Sequence, residues 1–444
     1  MSWRAWLSAW RAIDGIAHRV YRWPVKPKIL STLPGYTGAQ FAADALAGIT
    51  VAMVALPLSI AIAIASGAEP AAGLVTAIVA GFLISALGGS RVQIGGPTGA
   101  FIVVVYGVIA QYGYDGLVLA TLMAGAILLV AGLLRAGNLI AFVPEAVVNG
   151  FTIGIAIIIA ASQLKDFLGL GGTAVPAEFL PKLQALWAAR GTIDPPALAI
   201  GCGALVLIVL LRRLFPRFPG LIVAMGSASA AVALLPLPVD TIAARYGALP
   251  QGLPLPALPE VTLARLTELL PSALVIAFLA AIESLLSAMV ADRMIGGSHR
   301  PNAEVLAQGW ANIGSALFGG LPATGAIART ATNVRAGGRT PVAGMVHALV
   351  ILVVMLAAAP LAGYLAMPAL AALLLTTAWN MSEPHKWRQY WAAPVSDRIL
   401  LVLTLVLTVL SDLTVAIGVG VGLGLALRLR DSRLEAKEWS APDR

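Results

Sequence analysis

The sequence predicts an all-α integral membrane protein with about 14 transmembrane segments, each of roughly 20 residues. Of its 444 residues, 59% are hydrophobic and 11% are charged, whereas a soluble domain carries about 25% charged residues. The apolar runs are long and are separated by short Gly, Pro and Arg stretches, which argues against a barrel of alternating strands. In addition, one polar, glycine-rich stretch occurs twice, about half a chain apart. This repetition predicts two halves of seven segments each.

The repeated stretch reads GGPTGAF at 95–101 and GGLPATGAIARTATN at 319–333. In both copies Gly and Pro interrupt an apolar run before a Thr, and the two threonines lie 226 positions apart (324 − 98). Thr98 and Thr324 could each cap a helix, and the small residues after them leave backbone N–H groups uncovered for an anion. Interrupted segments at matching places in two halves indicate the binding site of a secondary transporter.

The first half contains seven predicted segments. Asp44 precedes the first, Pro70 begins the second, and a long polar interruption at 165–195 separates the fifth from the sixth. The predicted segments lie at 46–66, 71–87, 98–111, 116–134, 144–163, 196–211 and 219–236.

The second half follows a Pro-rich stretch, begins near Glu268 and repeats the same plan. Its predicted segments lie at 268–291, 303–318, 319–333, 341–361, 363–379, 398–411 and 412–428. We therefore divide the chain into a basic N-terminal tail, a first repeat, an extracytoplasmic linker, a second repeat and a C-terminal stub. These regions are 1–40, 41–236, 237–266, 267–430 and 431–444.

Positive charge predicts the orientation. Arg and Lys recur beside alternate segment ends, and loops rich in these residues stay in the cytoplasm. Because the cations lie beside apolar segments, we assign the net charge of +8 to the lipid bilayer and to orientation rather than to nucleic acid. An odd number of segments per half gives the halves opposite orientations, and hence an inverted repeat.

Several motifs resemble the SulP sulfate permease family, equivalent to solute carrier family 26. In the first half they are DALAGITVA at 44–52, GGSR at 88–91 and GPTGAF at 96–101. In the second half they are AIESLLS at 281–287, QGWAN at 308–312 and FGGLPATGAIART at 318–330. The resemblance covers about residues 40–428. It implies a core domain that moves against a gate domain, with half-helices at segments 3 and 10 that hold an anion between them.

The resemblance carries further expectations. It implies a homodimer in the inner membrane of a bacterium, with both termini cytoplasmic. Members of the family usually carry a cytoplasmic STAS domain after the last span, whereas this sequence stops at Arg444, so we expect no STAS domain in this chain. A later stretch, AWNMSEPHK at 378–386, resembles dicarboxylate carriers of the family more weakly.

The two interrupted segments form the predicted substrate-binding site. The first offers backbone donors and an aromatic edge, and the second offers donors and a cation. The predicted residues are Thr98, Gly99, Ala100, Phe101, Gly325, Ala326, Ile327, Ala328 and Arg329. Arg329 adds a full charge, where a helix end contributes only about half an elementary charge. The alternatives are an ordinary juxtamembrane basic residue for Arg329, and plain capping for the two threonines.

Glu283 is the predicted site of proton coupling. It is the only acid between Leu269 and Ala291, and an isolated carboxylate in such a helix is costly and indicates function. Ser287, four residues on, shares its helix face. We predict that Glu283, together with Ser287, takes up a proton with each anion. The alternative is a structural Glu283 that pairs with Arg329 or caps a neighbouring helix.

The resemblance also bears on the coupling ion. Sodium-coupled bicarbonate members of the family carry an acid at the position of Glu283 and a Thr at the position that we align with Ile327. An apolar Ile327 removes a possible sodium ligand, so we expect a proton rather than sodium as the coupling ion. We expect no other cofactor and no metal.

Together these observations predict a secondary active anion transporter that works by alternating access. The predicted reaction is proton symport of sulfate or of a C4-dicarboxylate such as fumarate or succinate. Bicarbonate transport, chloride transport and an uncoupled anion channel on the same fold are the alternatives. An enzyme is not expected, because no paired acids, metal cluster or nucleophile with its base occurs in the apolar segments.

Overall fold

The computed structural model describes residues 26–138, 144–172, 176, 178–215, 220–411, 415, 418–420 and 422–424. The α-helices are α1 (Ile29–Thr32), α2 (Gly38–Ala65), α3 (Pro70–Leu87), α4 (Ile102–Leu133), α5 (Glu145–Leu168), α6 (Phe179–Ala188), α7 (Pro195–Leu214), α8 (Gly220–Leu234), α9 (Ile242–Tyr246), α10 (Leu263–Ile295), α11 (Pro301–Leu317), α12 (Ile327–Arg335), α13 (Val342–Ala362), α14 (Met367–Met381), α15 (Trp387–Ala392) and α16 (Val395–Leu410). Short 3₁₀ turns occupy Gly99–Phe101, Ala136–Asn138, Ala189–Thr192 and Pro384–Lys386. The two strands are β1 (Gly95–Gly96) and β2 (Thr324–Gly325).

Seven of the described helices are long and apolar enough to cross a membrane. They are α2, α3, α4 with the 3₁₀ turn before it, α5, α7, α10 and α13. The other helices at predicted segments, namely α8, α11, α12, α14 and α16, are shorter. Most of the predicted tail, the C-terminal stub and much of the last segment, 412–428, lie outside the described residues.

The helices pack in two groups. The first, which we call the core bundle, consists of α2, α3, α4 and α10 to α13. Within it, α4 of the first half packs on α10 and α11 of the second, while α13 of the second half packs on α2 and α3 of the first. This reciprocal exchange is what an inverted repeat produces. The second group, the gate bundle, consists of α5, α7, α8, α14 and α16.

Small residues allow the core helices to approach closely. A β-carbon at Gly48 of α2 would lie 2.5 Å from the carbonyl oxygen of Ala343 in α13. In α3, a β-carbon at Gly73 would overlap the backbone of Ser59 in α2. Close backbone contact of this kind stabilises helices in lipid, where apolar burial alone does not distinguish a neighbouring helix from lipid tails.

The interrupted segments meet in the core bundle. β1 and β2 pair antiparallel, with Gly95 opposite Gly325 and Gly96 opposite Thr324. Gly96 has a φ of 147°, which a residue with a side chain rarely adopts. The 3₁₀ turn and α4 follow β1 in the chain, and α12 follows β2. Two helices therefore begin at one strand pair.

Several predicted boundaries differ from the structure. α2 begins at Gly38 rather than at 46, because Thr37 and Gln40 form a capping box. By contrast, the predicted break between segments 3 and 4 is present, because α4 is interrupted at Gly113, whose φ of 71° and ψ of 179° are not helical. α10 begins at Leu263 rather than near 268, since Thr262 caps it. The polar interruption at 165–195 contains a helix of its own, α6.

Candidate functional site

The structure brings Thr98 and Glu283 into direct contact. The Thr98 Oγ1 donates a hydrogen bond to the Glu283 Oε2 at 2.9 Å. Thr98 precedes the 3₁₀ turn, but its side chain does not cap that turn, so the predicted capping role is wrong. The carboxyl group of Glu283 in α10 takes the hydroxyl instead. Glu283 itself is only partly buried.

Thr324 does not cap a helix either. Its Oγ1 donates to the carbonyl oxygen of Ala280 in α10 at 2.8 Å, and α12 begins only at Ile327, after Ala326 in the N-cap position. The predicted capping role fails because the pairing of β2 with the first half continues beyond Gly325. It ends in a hydrogen bond from the Ala326 N–H to the carbonyl oxygen of Ile94, at 2.8 Å.

This same bond corrects one predicted anion donor. The N–H of Ala326 is already engaged by Ile94, so it is not available to a ligand. Backbone N–H groups in the first turn of a helix have no intrahelical acceptor, and those of α12 belong to Ile327, Ala328 and Arg329. Both Ile327, at 43% exposure, and Ala328 are exposed. The start of α12 therefore presents an open surface on which an anion could bind.

Arg329 points away from that surface. Its side chain is 2% exposed, and its Nη2 donates to the carbonyl oxygen of Pro97 at 2.5 Å. Within the part of the chain that the structure describes, its Nε and Nη1 have no hydrogen-bond partner. A β-carbon at Gly96 would lie 2.5 Å from Nη1, which explains the glycine. The guanidinium group thus links the two interrupted segments on their buried side, and its Nε and Nη1 remain available as donors.

Arg329 is not paired with Glu283. Among the described residues, the ion pairs within 4 Å include neither side chain. The salt-bridge form of the structural alternative for Glu283 is therefore not what the structure contains.

The other predicted residues of the first segment differ in position. Ala100 and Phe101 are buried in the main hydrophobic cluster, so the ring of Phe101 does not present an open edge here. Gly99 lies against the gate bundle, since a β-carbon there would be 2.9 Å from the Sδ of Met381 and 3.6 Å from the Cδ1 of Ile159. The start of this segment therefore lies at the boundary between the bundles.

Ser287 contacts the site from α10 without touching Glu283. Its Oγ lies 3.2 Å from the Oγ1 of Thr330 in α12. Thr330 in turn accepts a hydrogen bond from the Ile94 N–H at 3.1 Å. This places Ser287 in the hydrogen bonds that fix α12 against β1.

Sequence reasoning missed a second carboxyl group, that of Glu304 in α11. It is 0% exposed, and both its oxygens accept hydrogen bonds. The donors are the Gly89 N–H at 2.8 Å, the Ser90 N–H at 3.2 Å, the Ser284 Oγ at 2.8 Å, the Gln93 Nε2 at 2.9 Å and the Gln308 Nε2 at 3.0 Å. We call Glu304, Gln93, Ser284 and Gln308 the Glu304 cluster. Ser284 is the chain neighbour of Glu283, so the cluster supports the site.

Polar side chains also fix α12 and the backbone before it. The Asn312 side chain forms two hydrogen bonds with the backbone of Ala323, each 2.9 Å long. The Leu321 N–H donates to the Thr76 Oγ1 at 2.6 Å, and the Asn333 Nδ2 donates to the carbonyl oxygen of Val92 at 2.8 Å. Asn312 belongs to the QGWAN motif, whose role the sequence alone did not reveal.

Comparison with known proteins begins with the sequence. The model of the Sulfate permease family matches residues 41–404. YvdB of Bacillus subtilis, named as a candidate sulfate transporter, is 44% identical over 382 residues, which cover 86% of this chain and 72% of YvdB. The bicarbonate transporter BicA of Picosynechococcus is 31% identical over 388 residues, which cover 84% of this chain and 67% of BicA.

Solved structures give the same comparison for the fold. The transmembrane domain of a cyanobacterium BicA matches with a TM-score of 0.77 and 32% identity, covering 86% of this chain and 99% of that domain. Murine solute carrier 26 family member A9, in its inward-facing state, matches with a TM-score of 0.82 and 19% identity, covering 91% of this chain and 71% of that protein. The second likeness concerns the fold alone. The predicted all-α, inverted-repeat membrane fold is confirmed.

Proposed function

Because the chain belongs to the sulfate permease family and is an anion transporter rather than an enzyme, we propose that it is a secondary active transporter for sulfate. In this proposal one proton enters with the anion, and the core bundle moves against the gate bundle by alternating access. The name of YvdB, at 44% identity, supports sulfate as the first substrate to test.

The observation that carries the proposal is the meeting of two helix starts at one strand pair. α12 begins beside β2, the 3₁₀ turn of the other half begins just after β1, and the positive ends of both helix dipoles favour an anion there. The Arg329 guanidinium group is buried next to this strand pair and donates a hydrogen bond to the carbonyl oxygen of Pro97. Its positive charge offsets part of the cost of holding a divalent anion inside a membrane.

Proton coupling rests on Glu283. Its carboxyl group contacts one hydroxyl, that of Thr98, at the start of the first interrupted segment. A carboxyl group at this position could exchange a proton beside the anion, because it is partly exposed. Protonation of the carboxylate would remove a negative charge next to the bound sulfate. Binding of the proton and binding of sulfate would therefore favour each other.

The test is uptake of labelled sulfate, fumarate and bicarbonate into proteoliposomes with an inward proton gradient. We expect wild-type protein to accumulate sulfate above its equilibrium level, and Arg329→Ala to lose at least 90% of that accumulation, that is, a tenfold effect of about 1.4 kcal/mol. Arg335→Ala is the matched control, since Arg335 ends the same helix and is exposed. Anion currents without accumulation would contradict the proposal and indicate a channel.

Bicarbonate is the second candidate, because BicA is 31% identical. Ile327 is exposed at the start of α12, at the position where the family resemblance gives sodium-coupled bicarbonate members a Thr. If uptake of bicarbonate is observed, Ile327→Thr tests its coupling. A sodium dependence that appears only in the variant supports proton coupling in the wild type, whereas sodium dependence of the wild type refutes it.

A C4-dicarboxylate stays in the same uptake experiment as a competitor of sulfate, since helix starts bind carboxylate and sulfate alike.

We further propose a homodimer in the bacterial inner membrane with both termini cytoplasmic. The orientation is supported by Arg91 and Arg300 in loops and by Arg293 in the last turn of α10, on the side of the bundle where Lys28 contacts Gly88 and Ser298. Labelling of single cysteines in these loops in whole cells tests the orientation, and native mass spectrometry tests the dimer.

A further inference from the structure

We propose that Lys182 and Tyr106 form a second contact point for the anion, a gate between the core and gate bundles on the membrane face opposite the N-terminal one. The proposal rests on alternating access as put forward above. It concerns a helix, α6, and a cation, Lys182, that have no role in transport in the predictions from the sequence.

Lys182 is an unusual lysine. Its side chain is only 5% exposed, and within the described residues it has no carboxylate within 4 Å. Its Nζ instead lies over the ring of Tyr106, 5.6 Å from the centroid, which is within the range of a cation–π interaction. Burial lowers the pKa of this ammonium group. Other described cations of the same face, Arg245 and Arg265, are paired with aspartates.

The two residues belong to different bundles. α6 packs on α5 and α16 of the gate bundle, where Leu186 lies in one hydrophobic cluster with Leu164 and Leu168. Tyr106 belongs to α4 of the core bundle and lies about two turns, or roughly 10 Å, along the helix from Gly99. Its ring also packs against Gly67, in the turn between α2 and α3. The Lys182 side chain therefore reaches across the boundary between the bundles.

Because it crosses the boundary between the bundles, the contact between Lys182 and Tyr106 is expected to change during the transport cycle. Alternating access requires the core bundle to move against the gate bundle, and a contact across their boundary must break or slide when they do. Once it leaves the Tyr106 ring, a buried ammonium group needs another partner, because an unpaired charge in a poorly hydrated site is costly. The arriving anion is a partner of the right sign, and α4 then leads from Tyr106 to the helix start at Gly99.

The gate is tested by cross-linking the two bundles. Cys202 is the single cysteine, so Tyr106→Cys and Lys182→Cys are combined in a Cys202→Ser protein and joined by a bismaleimide. We expect the cross-link to reduce sulfate uptake to the background of empty liposomes. The control is Leu168→Cys with Leu186→Cys, a pair within the gate bundle, whose cross-link leaves uptake unchanged. Unimpaired uptake by the fully cross-linked 106–182 protein overturns the gate.

The role of the charge is tested separately. Lys182→Gln should raise the KM for sulfate supplied on that face about fivefold without lowering the maximal rate, whereas Lys182→Arg should keep the wild-type KM. An unchanged KM in Lys182→Gln overturns the anion contact.

A third measurement needs no transport. The protein for this test keeps Tyr106 and Lys182 and carries Gly107→Cys and Leu183→Cys in the Cys202→Ser background. Sulfate added to this purified protein should slow the cross-linking of positions 107 and 183, because the anion competes with the Tyr106 ring for the Lys182 ammonium group. Sulfate without effect on that rate contradicts the inference even if uptake fails, whereas failed uptake with a sulfate-dependent rate contradicts only the proposed transport function.

Discussion

Glu283 and Glu304 are two carboxyl groups on neighbouring helices of the core bundle, and they differ in how many donors surround them. Glu304 is fully buried and accepts five hydrogen bonds. Glu283 is partly exposed and accepts one from a side chain, that of Thr98. A carboxylate surrounded by donors joins several segments of the fold, whereas one with a single donor at the boundary of a site has fewer contacts to lose. The comparison therefore separates an acid with a structural role, Glu304, from the acid to which we assign the proposed proton role, Glu283.

The largest expected effect is the loss of Glu304. Glu304→Ala leaves several buried donors without an acceptor, at about 1–3 kcal/mol each, so we expect about 3–5 kcal/mol less stability in total. Thermal unfolding in detergent measures it. Glu304→Gln keeps one carbonyl oxygen and should lose less than the alanine variant. If both variants unfold like the wild type, the structural role assigned to Glu304 is wrong.

Glu283→Gln should give the opposite result. The amide keeps the size of the side chain and an acceptor for Thr98, so we expect an unfolding temperature within a few degrees of the wild type. It cannot bind and release a proton, and sulfate accumulation driven by the proton gradient should fall at least tenfold. Gradient-driven uptake that persists in Glu283→Gln would remove the proton role, although exchange of sulfate across the membrane could remain.

Alanine substitutions at Gly325 and Gly99 test how far the Glu304 cluster positions the second interrupted segment compared with the first. A β-carbon at Gly325 would overlap the Gln93 side chain, which the Glu304 cluster holds by hydrogen bonds to Ser284 and Glu304. At Gly99 it would meet the flexible end of Met381. We therefore expect Gly325→Ala to reduce sulfate uptake about tenfold or more, and Gly99→Ala to reduce it by less, since a displaced core side chain costs about 1–3 kcal/mol. Equal losses would mean that the cluster does not position the second segment.

A third acid, Asp44, resembles Glu304 and yields the smallest effect. It accepts hydrogen bonds from the Tyr36 hydroxyl at 2.8 Å, from the Arg339 N–H at 2.7 Å, and from the Thr340 N–H at 3.2 Å and Oγ1 at 2.5 Å. Tyr36→Phe removes one of these bonds and should cost about 0.5–1.5 kcal/mol. Uptake should be unchanged, because the remaining donors still hold Asp44.

The Tyr36 bond also has a pH dependence. Burial and the bond to Asp44 raise the pKa of Tyr36 to about 12, above its usual value of about 10. Its stabilising contribution is therefore fully present below about pH 10 and is lost as the pH rises through about 12. The stability difference between wild type and Tyr36→Phe should shrink across this window, and a constant difference would argue against the bond.

Much of the fold was predictable because it depends on local patterns. Long apolar runs gave the helices, and the Gly, Pro and Thr residues at 95–98 and 319–325 marked the interruptions. The hydrogen-bond partners of Thr98 and Thr324 were not predictable in this way, since their hydroxyl groups do not cap a helix but bond to α10, far away in the sequence. A capping rule that considers only neighbouring residues cannot predict a partner so distant in the sequence.

Glu304 was missed for the same reason. An acid in the first turn of a helix is ordinary, because it favours the positive end of the dipole, and Glu304 occupies that turn of α11. Its backbone donors, Gly89 and Ser90, lie more than 200 positions earlier in the chain. Glu283 stood out only because the sequence around it is apolar. The apolar surroundings of Glu283 in the sequence identified it, whereas Glu304 was identified only from its hydrogen bonds in the structure.

The pairing of β1 with β2 fastens both halves of the site to one body, so in the transport cycle proposed above Arg329 and Glu283 cross the electric field of the membrane together with the anion. In the empty carrier, a guanidinium cation and an ionised carboxylate cancel, and the membrane potential exerts little net force on it. Loaded with divalent sulfate and one proton, the same body is net negative and feels about 2.3 kcal/mol per charge for each 100 mV. Voltage should therefore alter the rate of the loaded step and leave the return of the empty carrier nearly unchanged, which current recordings on supported membranes can resolve.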